Sequence, residues 1–412
     1  MAGLWRIAIR DLRRNKRRSA ATLVAMLLGV GLLVVTGGFM EGSYTQAIED
    51  NIRIQTSDLQ IRDADYDRDQ ASLKWEDLLD DAEDLAARVR ERPQVQDATP
   101  ILWASGVVAL REESVNVAVY GMDYRSDVNA PFRDGVVAGE LPAPDDREGV
   151  LMGQRLAESL GIGVGDDFSL LAPTSGERPD EAVFTVRGLY NSGIPGYDLN
   201  TILMPLDKAQ SLTRTEDRAS AILTKLYDRE EADAVAAAIS AALDAPGLEV
   251  LTWRDLNAFM LDYMVVGRQI IYLLYLIILA IVAVVIVNTL LMTVFERTRE
   301  MGILAALGMK AREIRAMFLI ESGVLAVIGI VLGVLIGSLI VEYLSVVGID
   351  IGAAASTIES TALAFGERMY AEHSVRDTIV VSVMAFAITL VGSLYPAWYA
   401  SRMEPIEALR AL

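Results

Sequence analysis

The chain has 412 residues, 52% of them apolar and 23% charged, and its 37 basic and 56 acidic residues leave a net charge of −19. A chain this apolar is not a disordered one, and one this acidic lacks the clustered Lys and Arg that neutralise phosphates, which excludes nucleic acid as a partner. The absence of cysteine and the presence of a single histidine, His373, exclude disulfide frameworks, Cys/His zinc sites and thiol nucleophiles, and leave one residue for any Ser-His-Asp arrangement. A mean hydropathy of +0.33 in so charged a chain requires the apolar residues to be concentrated in segments.

Residues 1–19 are expected to form a basic N-terminal helix, carrying Arg6, Arg10, Arg13, Arg14, Lys16, Arg17 and Arg18 against Asp11. The uncharged run 20–40 follows, and about 20 such residues are what a helix needs to cross roughly 30 Å of hydrocarbon. A basic segment before an apolar run also begins secretory signals, but this run is longer than their apolar core and continues into Gly37-Gly38-Phe39-Met40-Glu41 without a small-x-small cleavage site.

Residues 41–266 carry 43 acids and 20 bases, for −23, and read as a soluble mixed α/β domain. Alternation at Asp58-Leu59-Gln60-Ile61-Arg62 predicts a strand, and Leu78, Leu85, Ala86 and Val89 predict a helix over 77–92, ended by Pro93. Two β-rich runs follow over 107–120 around the turn Arg111–Ser114. A second section has a helix over 154–160, a glycine turn at Gly161-Ile162-Gly163-Val164-Gly165, a strand at 168–171, and a loop over 172–182 leading to Val183-Phe184-Thr185-Val186. An Ala-rich helix over 229–243 and a strand over 248–251 close the domain. These elements suggest two subdomains, one made of 55–123 plus 219–255 and the other of the inserted 124–218. The run Asp63-Ala64-Asp65-Tyr66-Asp67-Arg68-Asp69 alternates carboxylates but lacks the glycine at position six and the glutamate at position twelve of a calcium loop, so it reads as a solvated acidic loop. The glycine turn has neither the spacing nor the following helix of a dinucleotide fingerprint.

Residues 267–412 hold three more apolar runs, 270–295, 316–341 and 378–400. Glu321 is the one charge in the second of these. It reads first as a side chain reaching back to the membrane interface, the alternative being an interhelical or functional carboxylate. Gly329, Gly333 and Gly337 recur every four residues, which clears one helix face for close approach of a neighbour. The connecting loop 296–315 has five bases against three acids and the loop 342–377 two bases against six acids. Positive charge stays inside, so both termini and 296–315 are expected in the cytoplasm and 41–266 and 342–377 outside. The fold class is therefore an α-helical membrane protein with four transmembrane helices and a large mixed α/β extracytoplasmic domain inserted between the first and second.

Within 296–315, Met301–Gly308 reads as a short amphipathic helix with a glycine stop, whose apolar face wants a groove in lipid headgroups or in a partner protein. The run Glu296-Arg297-Thr298-Arg299-Glu300-Met301-Gly302-Ile303-Leu304-Ala305-Ala306-Leu307-Gly308 resembles the ER-x-RE-x-G-I-x-x-A-x-G signature of the MacB/FtsX-type permeases of ABC transporters. Ile7–Arg18 is similar to the start of that family, and Tyr395-Pro396-Ala397-Trp398 with Met403-Glu404-Pro405-Ile406-Glu407-Ala408-Leu409-Arg410 to its C-terminal pattern. The order of one helix, a large external domain and three helices matches as well.

The resemblance implies an ABC ATPase as partner, because this chain has no G-x-x-x-x-G-K-[ST] loop to cradle nucleotide phosphates. This chain would bind no cofactor, the ATP and Mg being used by that ATPase. It further implies that Met301, Gly302, Leu304, Leu307 and Gly308 belong to a coupling helix in a groove of the ATPase, with Arg297, Arg299 and Glu300 as its polar rim. A second permease copy, identical or a sister chain, would complete a bundle of eight helices in the inner membrane. ATP-driven closure would lever the external domains, a mechanism termed mechanotransmission, rather than open a pore. Within the family the chain looks most like the lipoprotein-releasing (LolC/LolE-type) permeases. There the counterpart of Ser175, Gly176, Glu177, Arg178 and Pro179 hooks a periplasmic lipoprotein carrier, whereas on its residues alone this loop is equally an ordinary hairpin connection. Efflux of drugs or peptides through an outer-membrane duct, with an adaptor as partner, is the rival within the class, and a regulatory permease that activates cell-wall hydrolases is a second. An enzyme in the external domain would have to work with carboxylates or a Lys.

Overall fold

The computed structural model describes residues 16–402 apart from 69, 111, 112, 144, 145, 147, 177, 244, 246 and 351–367. Its described residues fall into two compact units, one of 16–44, 264–349 and 369–402, the other of 45–263 with 350 and 368.

The first unit is built on four helices long and apolar enough to cross a membrane. These are α1 (Lys16–Asn51), α9 (Ala258–Glu296), α11 (Ala311–Val347) and α12 (Val375–Ser401). Each extends beyond the apolar run that predicts it. The 39 residues of α9 rise about 58 Å, nearly twice the roughly 30 Å of hydrocarbon, because backbone hydrogen bonding continues where side chains turn polar. Val30, Leu33 and Val34 of α1 pack with Tyr275 and Leu279 of α9, Val341 of α11 and Val381 and Ala385 of α12. Large apolar side chains such as Leu273, Ile277, Ile281 and Val284 point outward from α9, as they do where the surrounding solvent is lipid.

Gly329, Gly333 and Gly337 are buried along one face of α11. A Cβ built on them would lie 2.7 Å from the Cβ of Met26, 2.9 Å from that of Val30 and 2.8 Å from that of Val34. The two four-residue repeats, one on each helix, therefore run side by side, and no larger residue fits the α11 positions at this spacing. Ser322 Oγ of α11 also donates to Ser393 Oγ of α12 at 3.0 Å.

The second unit is organised by one ten-stranded mixed sheet. Its strands are β1 (Leu59–Asp63), β2 (Val95–Leu110), β3 (Glu113–Met122), β4 (Val136–Gly139), β5 (Gly149–Gly153), β6 (Asp167–Ala172), β7 (Asp180–Tyr190), β8 (Thr201–Pro205), β9 (Ala221–Leu226) and β10 (Leu248–Thr252). They follow the order β10-β1-β9-β2-β3-β8-β5-β7-β4, with β6 joined to β2 and β7. The helices are α2 (Ala82–Arg90), α3 (Ala130–Asp134), α4 (Gln154–Leu160), α5 (Pro195–Asn200), α6 (Leu206–Thr213), α7 (Ala232–Leu243) and α8 (Trp253–Leu256). The β3–β8 and β5–β7 pairs are parallel.

The long strand β2 joins two hydrophobic cores. Its first part pairs with β9 and its last part with β3 and β6. One core gathers Leu59, Ile61, Ala86, Val89, Ile222, Val235 and Ile239 under α2 and α7. The other gathers Leu102, Val119, Val150, Leu156, Phe168, Val186 and Leu203. The division thus falls inside β2 near Ile101, not at residue 123 as the sequence suggests, because β3 is zipped to β2 along ten consecutive pairs and goes with the second core. The helix expected over 77–92 is also shorter. A 3-10 turn occupies Trp75–Asp77 and Asp81 adopts a left-handed φ of 48°, so helical hydrogen bonding starts only at Ala82.

Candidate functional site: the helical elbow after the second membrane helix

The helix α9 ends at Glu296, and a single residue, Arg297 (φ −105°, ψ 15°), separates it from the short helix α10 (Thr298–Ala306). The Arg297 amide donates to the Thr293 carbonyl at 3.1 Å, while its own carbonyl accepts from the Met301 amide at 3.0 Å. One residue thus closes one helix and opens the next. The stop comes at Gly308, whose φ of +94° is readily open only to glycine. There the Gly308 amide donates to the Ala305 carbonyl and the Met309 amide to the Leu304 carbonyl, both at 3.0 Å, which satisfies carbonyls a helix end would leave bare. Lys310 then precedes α11, its amide donating to Glu313 Oε2 at 2.8 Å.

The short helix has two apolar faces. Met301 is buried, with Leu304 and Ala305 beside it, among Val294 of α9, Ile314, Met317 and Phe318 of α11, and Ala397 and Ala400 of α12. Gly302 is buried as well. On the other side Ile303 is 46% and Leu307 80% exposed, in line with exposed Arg299, the i, i+4, i+8 row of one helix face. The residues singled out from the sequence are therefore divided between an inner face (Met301, Gly302, Leu304) and an outer one (Arg299, Leu307, Gly308). Ile303, which the sequence reading passed over, belongs to the outer face. Its spacing of four from both Arg299 and Leu307 is the signal that could have found it.

Two expectations are corrected here. Arg297 is not part of an exposed rim, since it is only 6% exposed. Its Nε donates to Glu300 Oε2 at 3.1 Å, and its Nη1 lies 3.7 Å from Glu321 Oε2. Nor does Glu321 reach out to the interface. It is 6% exposed and turned into the bundle, where ion pairing with Arg297 offsets the cost of burying a carboxylate. Around Glu321, Ser19 and Thr22 of α1, Thr289 and Thr293 of α9, Ser322 of α11 and Thr389 of α12 line, together with the apolar Met26, Ile286, Leu290 and Leu325, a small cavity of about 20 Å³. The described residues hold the signature from Glu296 to Gly308 and Tyr395–Trp398, whereas Ile7–Asn15 and Met403–Arg410 lie outside them.

The second set of expected residues lies between β6 and β7. Both strands run further than expected, so the connection is 173–179 rather than 172–182. The Ser175 amide donates to the Thr213 carbonyl at 2.8 Å and its hydroxyl to the Arg214 carbonyl at 2.6 Å. Thr174 Oγ1 donates to the Arg178 carbonyl at 2.8 Å. The Arg214 guanidinium pairs with Asp180 at 2.8 Å and holds that carboxyl below the usual carboxylate range. Gly176, Arg178 and Pro179 are exposed, and Glu177 lies outside the described residues. Pro173 and Pro179 border a cleft of about 710 Å³ that also takes in Arg68, Trp103, Ser105 and Tyr120.

In the acidic loop, Asp63 Oδ1 accepts from the Asp65 amide and Asp67 Oδ1 from the Gln70 amide, so both carboxylates cap turns. Burial pushes the phenols of Tyr124, Tyr190 and Tyr197 well above their ordinary range and that of Tyr66 up to about 12.

Two family profiles match the chain: the MacB-like periplasmic core domain over residues 19–242 and the FtsX-like permease C-terminal domain over 272–405. Among curated proteins, the lipoprotein-releasing system transmembrane protein LolC of Xylella fastidiosa is 25% identical, the match covering 98% of each chain. LolC of Neisseria meningitidis is 22% identical with the same coverage. The macrolide export ATP-binding/permease protein MacB of Nitrobacter winogradskyi is 25% identical over 98% of this chain and 59% of its own. Among solved structures, the periplasmic region of MacB from Actinobacillus actinomycetemcomitans aligns with 52% of this chain and 98% of its own at 16% identity and a TM-score of 0.36.

Proposed function

The chain belongs to the MacB/FtsX-type permeases of ABC transporters, and from that membership we propose that it is the membrane subunit of an inner-membrane machine that uses a separate ATPase to release lipoproteins by mechanotransmission. The observation that carries the coupling role is the outer face of α10. Arg299, Ile303 and Leu307 present two large apolar side chains and a cation on a helix whose other face is already packed. An apolar row of this kind on a short helix suits a groove in a partner protein. That partner is the ATPase, which binds the ATP and Mg. The short helix lies on the cytoplasmic side with both termini, and the mixed sheet lies outside. A second permease copy, identical or a sister chain, covers outward-facing apolar side chains of the bundle, and the 173–179 connection meets a periplasmic carrier. Lipoproteins are the favoured cargo because the LolC relatives match end to end, 98% of each chain. Export of a drug or peptide is the second reading, supported by the MacB relative.

The test is reconstitution of the permease with its ATPase in liposomes loaded with a triacylated lipoprotein. The wild type should release the lipoprotein to a soluble carrier on addition of ATP. Ile303→Asp with Leu307→Asp should abolish co-purification of the ATPase, since a buried apolar anchor carries about 2 kcal/mol or more, roughly thirty-fold in affinity. A double variant that still binds and drives the ATPase would overturn the coupling role. A wild-type complex that hydrolyses ATP without releasing lipoprotein would leave export as the reading.

A further inference from the structure

Three chain segments meet at Arg297. It is the residue between α9 and α10, it opens α10 with its carbonyl, and its guanidinium lies 3.7 Å from Glu321, in the third turn of α11. Both members of this pair are 6% exposed. Taking two charges out of water is expensive, and apolar residues of like volume often serve stability as well or better, so a buried pair is weak evidence for stability alone. Charge pairing does impose direction. It holds one guanidinium against one carboxylate, whereas the apolar cluster around Met301, Phe318 and Ala397 can slide. Glu300, one turn into α10, accepts from the same guanidinium, so both ends of the elbow are tied to one side chain.

We infer that the Arg297–Glu321 pair is a clamp that makes α10 and α11 move as one body, so that displacement of the short helix is delivered to the membrane helix rather than absorbed at the elbow. The two act as positioning residues, with no direct contact to the ATPase required. The inference rests on the reading of α10 as the docking helix, and it adds where the motion goes next. The glycine face of α11 then carries it to α1, whose Met26, Val30 and Val34 lie too close to Gly329, Gly333 and Gly337 for the helices to shear past one another.

The experiment uses the permease–ATPase complex in nanodiscs and reads the permease-dependent ATPase rate together with co-purification. Glu321→Gln and Arg297→Gln should each keep the ATPase bound, because Arg299, Ile303 and Leu307 are untouched, yet lose roughly tenfold in permease-dependent rate. The exchange Arg297→Glu with Glu321→Arg should recover most of that loss, and Arg297→Met with Glu321→Met should not, although it restores packing volume. Full rates in the single variants, or a wild-type rate in the double Met variant, would overturn the clamp. Should the single variants fail to assemble, the otherwise wild-type complex decides. Spin labels at Ala306→Cys, an exposed position off the Arg299–Ile303–Leu307 row, and at Val331→Cys, in a chain with no other cysteine, should give one narrow distance unchanged by a nonhydrolysable ATP analogue. A broad or shifted distance would overturn it. Loss of ATPase binding in the Ile303 and Leu307 variants is a separate outcome, so the docking reading and the clamp can fail independently.

Discussion

Gly333 has the Cβ of Val30 2.9 Å and the carbonyl oxygen of Leu27 3.1 Å from where its own Cβ would sit. A backbone oxygen on a neighbouring helix cannot rotate out of the way, so Gly333→Leu must part α1 from α11. Overpacking of this kind costs about 1–3 kcal/mol, and the loss should appear as a lower thermal midpoint of the detergent-solubilised chain. Gly163 is the control. Nothing lies within 4 Å of its built Cβ, so Gly163→Ala should change stability by no more than about 0.5 kcal/mol. Equal midpoints for Gly333→Leu and the wild type would contradict the close packing. The shared face of the three glycines follows from their spacing, whereas the helix they meet does not. The same gap hides the partner of Arg297. In Glu296-Arg297-Thr298-Arg299-Glu300 nothing distinguishes the two arginines, and the carboxylate that buries one of them stands 24 residues away, in another helix.

At the scale of elements, α10 shows how a short helix misleads a reading by composition. Met301, Ile303, Leu304 and Leu307 are all apolar, and a nine-residue helix gives too few turns for a periodicity to separate an inner face from an outer one. Packing against Ile314, Met317 and Phe318 decides which is which. The consequence is a split between two leucines three residues apart. Leu304→Asp puts a charge on a half-buried position packed against that cluster and should destabilise the permease itself by about 1–3 kcal/mol, lowering its yield and thermal midpoint with or without the ATPase. Leu307→Asp alters an 80% exposed side chain and should leave the midpoint of the free permease in place while weakening ATPase co-purification. Identical behaviour of the two variants would refute the two-faced helix. Strands show the opposite balance. The alternation over 107–120 makes the β2–β3 hairpin legible, but the full length of β2 is not, because Asp97-Ala98-Thr99-Pro100 interrupts the pattern and Pro100 lies mid-strand opposite Ile222. Residues 100–104 are then buried without alternation, since β2 is covered on both faces where the two cores meet.

Across the whole molecule, the charge of −19 is an average over unlike parts. The segment 41–266 holds −23, while 1–19 and 296–315 are net positive. Lys and Arg near helix ends resist translocation, so the basic elbow after α9 and the acidic sheet domain are expected on opposite sides of one membrane. The cysteine-free sequence makes this directly testable. Ser175 sits in a connection with Gly176, Arg178 and Pro179 exposed around it, and Leu307, which caps the end of α10, is 80% exposed. In spheroplasts, a membrane-impermeant maleimide should label Ser175→Cys within minutes and leave Leu307→Cys unmodified until the membrane is opened. Both labels must be read, because labelling at Ser175 alone would also follow from a chain that had leaked across. Label on Leu307→Cys in intact spheroplasts would invert the topology, and with it the side on which an ATPase could meet α10. The acidity of the sheet domain adds an internal check. Its net charge should repel anionic lipid and anionic reagents alike, an effect that falls as added salt shortens the Debye length from about 10 Å at 0.1 M to about 3 Å at 1 M. An anionic maleimide should therefore react faster with Ser175→Cys as salt rises, while a neutral maleimide of the same size should show no such gain.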